Sequence, residues 1–308
     1  MSKFRLRGRR RKNRPASSDR VPLRSIVPNL ITSIAACAGI TSITISATNY
    51  AKTLAGKAPA TPRDWFMGLF ALLVACICDA MDGRVARLLN ASSKLGAELD
   101  SLADFVNFGV APAMFMYFWC LSGQPDMLPH VKNLLLGSAL FYALCDAFRL
   151  ARFNTMLEQP TIPYWKNFFL GVPAPGGCWM VLTPAILALS FTVKETAPLV
   201  SNAFQNPWFG ISMLLFIGVL MASRLPTISL KSVHISRAYL LPTMAACLLL
   251  IAFLATNFWL TLGFVGAGYI LTVPFVGLVF LKVRARYLRD HGDSESEATP
   301  PPSPATAA

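Results

Sequence analysis

Long apolar stretches dominate this sequence and decide what it can fold into. Eight of them lie between residues 26 and 282, separated by short polar segments. A bilayer core about 30 Å thick is crossed by about 20 apolar helical residues, and each stretch has about that length. Only 14% of the 308 residues are charged, against about 25% in soluble proteins. The sequence therefore predicts an all-α membrane protein with about eight transmembrane helices. The predicted spans are 26–49, 65–88, 98–121, 133–153, 168–192, 207–226, 238–256 and 260–282.

The basic residues are divided unevenly between the two sides that eight spans define. With the N-terminus inside, 23 of the 28 lie on the inner side and five on the outer side. Inner loops of membrane proteins carry the excess of Lys and Arg, so both termini are predicted to be cytoplasmic. This charge lies at span ends and in one N-terminal block, which fits anionic membrane lipids. We expect no nucleic-acid partner, because binding one needs a basic face on a folded, soluble surface.

Three regions follow from the composition. Residues 1–24 hold ten basic residues and one acid, and predict a disordered cytoplasmic arm that either fixes the orientation or holds anionic lipid. Residues 25–283 form the transmembrane domain, which would hold any catalytic site. Residues 284–308 are polar and close on Pro and Ala, and predict a disordered cytoplasmic tail.

Four aspartates lie in or beside the second and third spans. An unpaired charge at bilayer depth costs about 3 kcal/mol or more, so such residues are functional candidates. Asp79 and Asp82 lie at helical spacing on one face, as do Asp100 and Asp104 on the next helix. The short linker between the helices lets them pack antiparallel, which would bring all four carboxylates together. Oxygen ligands without nearby His or Cys select a hard cation such as Mg²⁺ or Mn²⁺.

Small residues and one arginine share those faces. Gly83, Ala86 and Arg87 follow Asp82 on the second span, and Gly96 precedes Asp100 on the third. Small side chains allow a backbone or a ligand to approach closely, and a guanidinium group can neutralise a diphosphate. These faces therefore predict a site for a phosphorylated ligand beside the metal.

The whole run resembles the signature of the CDP-alcohol phosphatidyltransferase family. Its eight positions are Asp79-x2-Asp82-Gly83-x2-Ala86-Arg87-x8-Gly96-x3-Asp100-x3-Asp104. The resemblance implies a bundle like that of the family, and an enzyme that moves a phosphatidyl group from CDP-diacylglycerol to an alcohol. It implies two divalent ions held by Asp79, Asp82, Asp100 and Asp104, with Asp104 also the general base. It implies donor binding by Asn29, Gly83, Ala86, Arg87 and Gly96. It also implies a homodimer, whose interface the sequence does not locate.

A second segment, Asp146-Ala-Phe-Arg-Leu-Ala-Arg-Phe-Asn154, bears on the acceptor alcohol. Arg149 and Arg152 share a helical face and could clamp a carboxylate, with Asn154 adding an amide contact. The segment resembles one typical of bacterial and archaeal family members that use L-serine. Glycerol 3-phosphate or an inositol acceptor could use the same cations, so both stay open as alternatives.

Two other function classes are consistent with acids inside membrane helices. A secondary transporter would favour acids spread over several spans, with repeated halves, whereas here they cluster in two adjacent spans. A non-catalytic scaffold would recruit partners through the basic arm. The expectation that follows is a multi-pass enzyme of the cell (inner) membrane whose active site faces the cytoplasm.

Overall fold

The computed structural model describes most of the transmembrane region. The described residues are 23–56, 60–91, 93–156, 168–170, 172–194, 198–223, 226–228 and 239–291. The predicted N-terminal arm up to residue 22 and residues 292–308 of the predicted tail lie outside them.

Helices make up almost all of the described chain. They are α1 (Leu23–Ala55), α2 (Pro62–Leu88), α3 (Lys94–Asp104), a π-helical turn (Phe105–Val110), α4 (Ala111–Gly123), α5 (Pro129–Met156), α6 (Ala174–Lys194), α7 (Pro198–Phe204), α8 (Pro207–Ala222), α9 (Leu240–Thr256) and α10 (Phe258–His291). Each predicted span overlaps one of these helices, the third the continuous run from α3 through the π turn to α4.

Among the residues that the structure describes, five helices are long and apolar enough to cross a membrane: α1, α2, the α3–α4 run, α5 and α6. Three further apolar helices, α8, α9 and the first part of α10, are shorter in the described chain. The chain is therefore a helical multi-pass membrane protein, as predicted. The count of eight crossings and the cytoplasmic placement of both termini stay predictions.

Two three-residue strands depart from the all-α prediction. β1 (Phe168–Leu170) pairs antiparallel with β2 (Pro226–Ile228), with Phe168 opposite Ile228. Residues 168–170 were predicted to open the fifth span, but α6 begins only at Ala174. Pro173 and Pro175 explain the shift, because proline lacks the amide hydrogen that a helix interior uses and is favoured in the first turn, where that hydrogen has no partner.

The predicted C-terminal tail is also corrected at its start. Helix α10 continues to His291, eight residues into the segment 284–308 that was predicted to be disordered. Residues 282–290 contain Lys, Arg, Ala and Leu, which favour helix, and neither Gly nor Pro until Gly292. The polarity of the segment predicted disorder there, but its helix-favouring residues extend α10 to His291.

Helix α6 lies at the centre of the bundle and helix α9 at its edge. Within α6 the side chains of Met180, Leu182 and Ile186 are completely buried, and the helix packs against α10. By contrast, α9 has no buried residue. Helix α1 lies along α2 and also touches α3 and α4, while α5 packs against α8 and the π turn. Helix α1 thus contacts both aspartate-bearing helices, and α5 contacts the π turn that directly follows Asp104.

Candidate active site

A tight turn joins α2 to α3 and brings the two aspartate pairs together. Asn90 adopts a left-handed conformation, with φ of 48°. The amide of Ala91 donates to the carbonyl of Ala86 at 2.9 Å, and the amide of Asn90 to that of Arg87 at 3.2 Å. This is the Schellman arrangement that ends many helices. Ser93 then caps α3 by accepting from the Gly96 amide at 3.0 Å. The connection between Leu88 and Lys94 is five residues long.

Three of the four predicted acids meet directly. Each of Asp79, Asp82 and Asp100 offers a carboxylate oxygen, and these three atoms lie within 4.8 Å of one another. Asp104 lies one helical turn beyond Asp100, and its carboxylate interacts electrostatically with those of Asp79, Asp100 and Asp146. Its Oδ1 atom is buried and has no hydrogen-bond partner in the described part of the chain. The structure thus brings the carboxylates of Asp79, Asp82 and Asp100 together, with both helices packing on α1.

These residues fit a hard divalent cation. Two ligands of an octahedral Mg²⁺ with bonds of about 2.1 Å lie roughly 3 to 4.2 Å apart. The 4.8 Å limit on the observed oxygens needs only small side-chain adjustments to reach that range. Three clustered carboxylates repel one another strongly inside a bilayer unless positive charge lies between them. The unpartnered oxygen of Asp104 is a further available ligand atom.

Asp82 is held from two directions, one of which the sequence pattern did not indicate. Its side chain is almost completely buried, with 3% exposed. Its Oδ1 accepts from the Gly83 amide at 2.5 Å, and its Oδ2 accepts from the Thr32 hydroxyl of α1 at 2.6 Å. Outer hydrogen bonds of this kind orient metal ligands. Thr32 lies 50 residues from Asp82 in the chain, so no local spacing could have pointed to it.

A cleft of about 340 Å³ opens beside the acids. The residues predicted to bind the donor all line it, namely Asn29, Gly83, Ala86, Arg87 and Gly96. Asp82 and Asp100 also line it. At Gly96 the wall of the cleft is crowded, because a Cβ atom there would lie 2.8 Å from Oδ1 of Asn29. The cleft therefore brings small residues, an amide and a guanidinium group to the edge of the acid cluster.

The residues predicted to bind the acceptor divide into different environments. Arg149 is mostly buried and its Nε lies 3.4 Å from Oδ1 of Asp146. Arg152 instead donates to the carbonyls of Ala222 and Ser223, at 3.0 and 3.1 Å, and so caps the end of α8. The predicted clamp of two arginines is thus not the arrangement in the structure, because the end of a neighbouring helix engages Arg152.

Asn154 lies close to the acid-bearing helix. Its Nδ2 donates to the hydroxyl of Ser101 at 3.1 Å, and Ser101 directly follows Asp100. This hydrogen bond brings Asn154 close to the residue that follows Asp100, and its predicted contact with an acceptor stays a prediction.

The π-helical turn follows Asp104 immediately. Pro112 lacks the amide hydrogen that would reach the carbonyl of Phe108 in an α-helix. The buried hydroxyl of Tyr142 on α5 donates to that carbonyl instead, at 2.9 Å. Wide turns of this kind occur often at functional sites. No sequence pattern indicates the role of Tyr142, and only the proline eight residues after Asp104 signals an irregular helix.

Comparison with known proteins agrees with this geometry. The family model described as CDP-alcohol phosphatidyltransferase matches residues 25–278. Three relatives carry the name CDP-diacylglycerol–serine O-phosphatidyltransferase. That of Mycobacterium leprae is 32% identical over 266 residues, which cover 85% of this chain and 78% of the relative. That of Mycobacterium tuberculosis H37Rv is 34% identical over 226 residues, covering 72% and 68%. That of Saccharomyces cerevisiae is 39% identical over 162 residues, covering 52% and 50%.

Proposed function

The chain belongs to the CDP-alcohol phosphatidyltransferase family, and from this premise we propose that it transfers a phosphatidyl group from CDP-diacylglycerol to L-serine, giving phosphatidylserine and CMP. The relatives named for that reaction in bacteria and yeast support serine as the acceptor. They favour it over glycerol 3-phosphate and inositol, and family membership replaces the transporter and scaffold alternatives.

One structural observation supports the proposal. The carboxylates of Asp79, Asp82 and Asp100 converge in membrane helices beside a cleft lined by small and cationic residues. A diphosphate needs divalent metal and cationic partners to lower its charge, and a nucleotide needs an adjoining space. The cleft and the acid cluster provide both within one site.

Divalent metal is the cofactor of this proposal. We assign two Mg²⁺ or Mn²⁺ ions to Asp79, Asp82, Asp100 and Asp104, all of which offer oxygen ligands. When bound, such ions stabilise negative charge on the attacking and departing oxygens of a displacement at phosphorus. Arg87 lies at the same cleft and is the cation we assign to the diphosphate of the donor.

Asp104 is the residue that we assign as general base. A serine hydroxyl is a weak nucleophile at neutral pH and needs a base within hydrogen-bonding reach. The Asp104 carboxylate takes the hydroxyl proton while the serine oxygen forms a bond to the phosphorus of the phosphatidyl group. The bond from that phosphorus to the oxygen of CMP breaks, and CMP leaves with the electron pair. Proton and charge balance without a covalent enzyme intermediate.

The carboxylate of serine needs a cation near Asp104. We assign Arg149 to it, because Asp146 beside it packs against Gly109, five residues after Asp104. Asn154 adds an amide on the same helix, whereas the contacts of Arg152 with α8 make it the less favoured acceptor ligand.

The membrane arrangement follows from charge. We propose eight crossings with both termini cytoplasmic, because 23 of the 28 basic residues then face inward. The acid cluster lies near the α2–α3 connection, which is on that inner side, so the active site faces the cytoplasm at the cell (inner) membrane. The basic arm contacts anionic lipids, and the assembly is a homodimer like that expected of the family.

The test is an assay of CMP release by the purified protein in detergent. CDP-diacylglycerol is supplied with Mg²⁺ or Mn²⁺, and serine, glycerol 3-phosphate and inositol are offered separately. We expect release with serine that stops when EDTA removes the metal and returns when excess metal is added. Release with another acceptor and none with serine would contradict the proposed acceptor. No release with any acceptor from folded, metal-supplied protein would contradict the reaction.

A further inference from the structure

Asp146 is a buried carboxylate to which the proposed reaction assigns no task. Its side chain is completely buried, with 0% exposed, in the middle of a membrane helix. One oxygen faces Nε of Arg149 at 3.4 Å, and the other has no hydrogen-bond partner among the described residues. A buried ion pair contributes little net stability, because the cost of removing both charges from water offsets their attraction. Stability alone therefore does not explain an acid at this position.

The neighbouring backbone is shaped to admit this carboxylate. A Cβ atom at Gly109, in the π turn, would lie 2.9 Å from Oδ2 of Asp146. Any larger residue at this position would therefore crowd the carboxylate oxygen. Gly109 lies five residues after Asp104. Asp146 thus packs directly on the turn that follows the proposed base.

Asp146 contacts the guanidinium group of Arg149 at Nε and not at its terminal nitrogens. Only Nε of the guanidinium group meets the carboxylate, and no partner for its two terminal nitrogens lies in the described chain. Those two nitrogens form the edge of arginine that binds a carboxylate through two parallel hydrogen bonds. An arginine held through Nε presents that edge in one direction and loses less rotational freedom when a ligand binds.

The location of Arg149 matches the acceptor side of the site. Asp146, one turn before it, interacts electrostatically with Asp104, and Asn154, five residues after it, contacts Ser101 on the acid-bearing helix. Arg149 therefore lies between two points at which α5 meets the residues around Asp100 and Asp104.

We propose that Asp146 is a positioning residue for the acceptor: its carboxylate holds Arg149 so that the terminal nitrogens of the guanidinium group receive the carboxylate of serine. The inference rests on the proposed function, because it assumes serine as the acceptor. It predicts that Asp146 acts on discrimination between acceptors and leaves the binding of the CDP-linked donor unchanged.

The experiment compares serine with serinol, an analogue in which a hydroxymethyl group replaces the carboxylate. For purified wild type and Asp146→Asn we would measure kcat/KM for each acceptor, and KM for CDP-diacylglycerol. We expect the serine-to-serinol ratio to fall about tenfold in Asp146→Asn, equivalent to about 1.4 kcal/mol, with KM for CDP-diacylglycerol within about twofold. Introduced into an Arg149→Gln protein, Asp146→Asn should not lower the ratio further, because the two residues act as one unit.

Two more variants complete the design. Asp64→Asn is the matched control, since Asp64 also pairs with a cation, Lys52 at 3.4 Å, but lies at the opposite end of α2; it should leave the ratio unchanged. Gly109→Ala disturbs the Asp146 carboxylate without changing its charge and should lower the ratio as well. If Asp146→Asn does not fold, the ratio in Gly109→Ala decides.

The outcomes separate the two proposals. An unchanged ratio, with both acceptors affected equally, would overturn the positioning role and leave the proposed function standing. Absence of serine-dependent CMP release from the wild type would overturn the proposed function, and this inference with it.

Discussion

Replacing Thr32 by valine removes a single hydroxyl group from the site and keeps the shape of the side chain. That hydroxyl donates to Oδ2 of Asp82 at 2.6 Å, and the two residues are 4% and 3% exposed. Without it, Asp82 keeps its contact with the Gly83 amide but one buried oxygen loses its donor. The variant therefore tests whether α1 orients a metal ligand of α2.

The size of the effect follows from this contact. Losing a hydrogen bond to a charged group costs about 1.5–3 kcal/mol, and each 1.4 kcal/mol is about a factor of ten. Removing an outer partner of a metal ligand typically costs about 10- to 100-fold in metal affinity or activity. We therefore expect the Mn²⁺ concentration for half-maximal CMP release to rise about 10- to 100-fold in Thr32→Val. Turnover at saturating metal should fall much less.

The assay is a metal titration of CMP release after treatment with EDTA. Thr41→Val is the matched control, because Thr41 lies on the same helix, is exposed, and bonds only to the carbonyl of Cys37, at 2.7 Å. It should titrate like the wild type. Coincident titration curves for Thr32→Val and the wild type would refute the reasoning, as would an equal shift in Thr41→Val.

Three further outcomes are expected. Gly83 lines the cleft, and a Cβ atom there would meet no described protein atom within 4 Å. Gly83→Ala should therefore raise KM for CDP-diacylglycerol about tenfold without lowering the unfolding temperature. Gly137→Ala, at a position that is equally uncrowded, should change neither KM nor the unfolding temperature. Asp104→Asn should lower kcat by at least about 100-fold with an unchanged size-exclusion profile, and turnover near that of the wild type would contradict its assignment as base. Tyr142→Phe leaves the buried carbonyl of Phe108 without its donor and should destabilise the protein by about 1–3 kcal/mol, measured as a lower unfolding temperature in detergent; an unchanged temperature would show that the π turn does not depend on this bond.

Most of what was read correctly from the sequence depends on short-range periodicity. Apolar stretches of about 20 residues predict membrane helices because the bilayer leaves few alternatives to a helix. Asp79 and Asp82 share a helical face because residues three or four apart always do. The five-residue connection keeps α3 close to α2, and both helices pack on α1, so that their carboxylates meet. The family signature lies within these two helices, and the match over residues 25–278 confirms the resemblance.

What the sequence alone misjudged depends on competition between local preferences. The prolines at 173 and 175 delay the start of α6, and helix propensity extends α10 to His291. In both places polarity indicates the kind of segment, apolar or polar, but it does not decide at which residue a helix begins or ends.

Residue spacing along the chain is enough to establish a helical membrane protein with four aspartates on two helical faces, because both properties are set by neighbours within one or two helical turns. The folded arrangement of the helices adds that Thr32 contacts Asp82, that Arg152 caps α8, and that Asp146 contacts Arg149 beside the π turn. The first two contacts join residues 50 or more positions apart. The third lies within one helix, but its place beside the π turn depends on how α5 packs on Gly109. Their geometry depends on how the helices pack, which the side-chain spacing along a single helix does not encode.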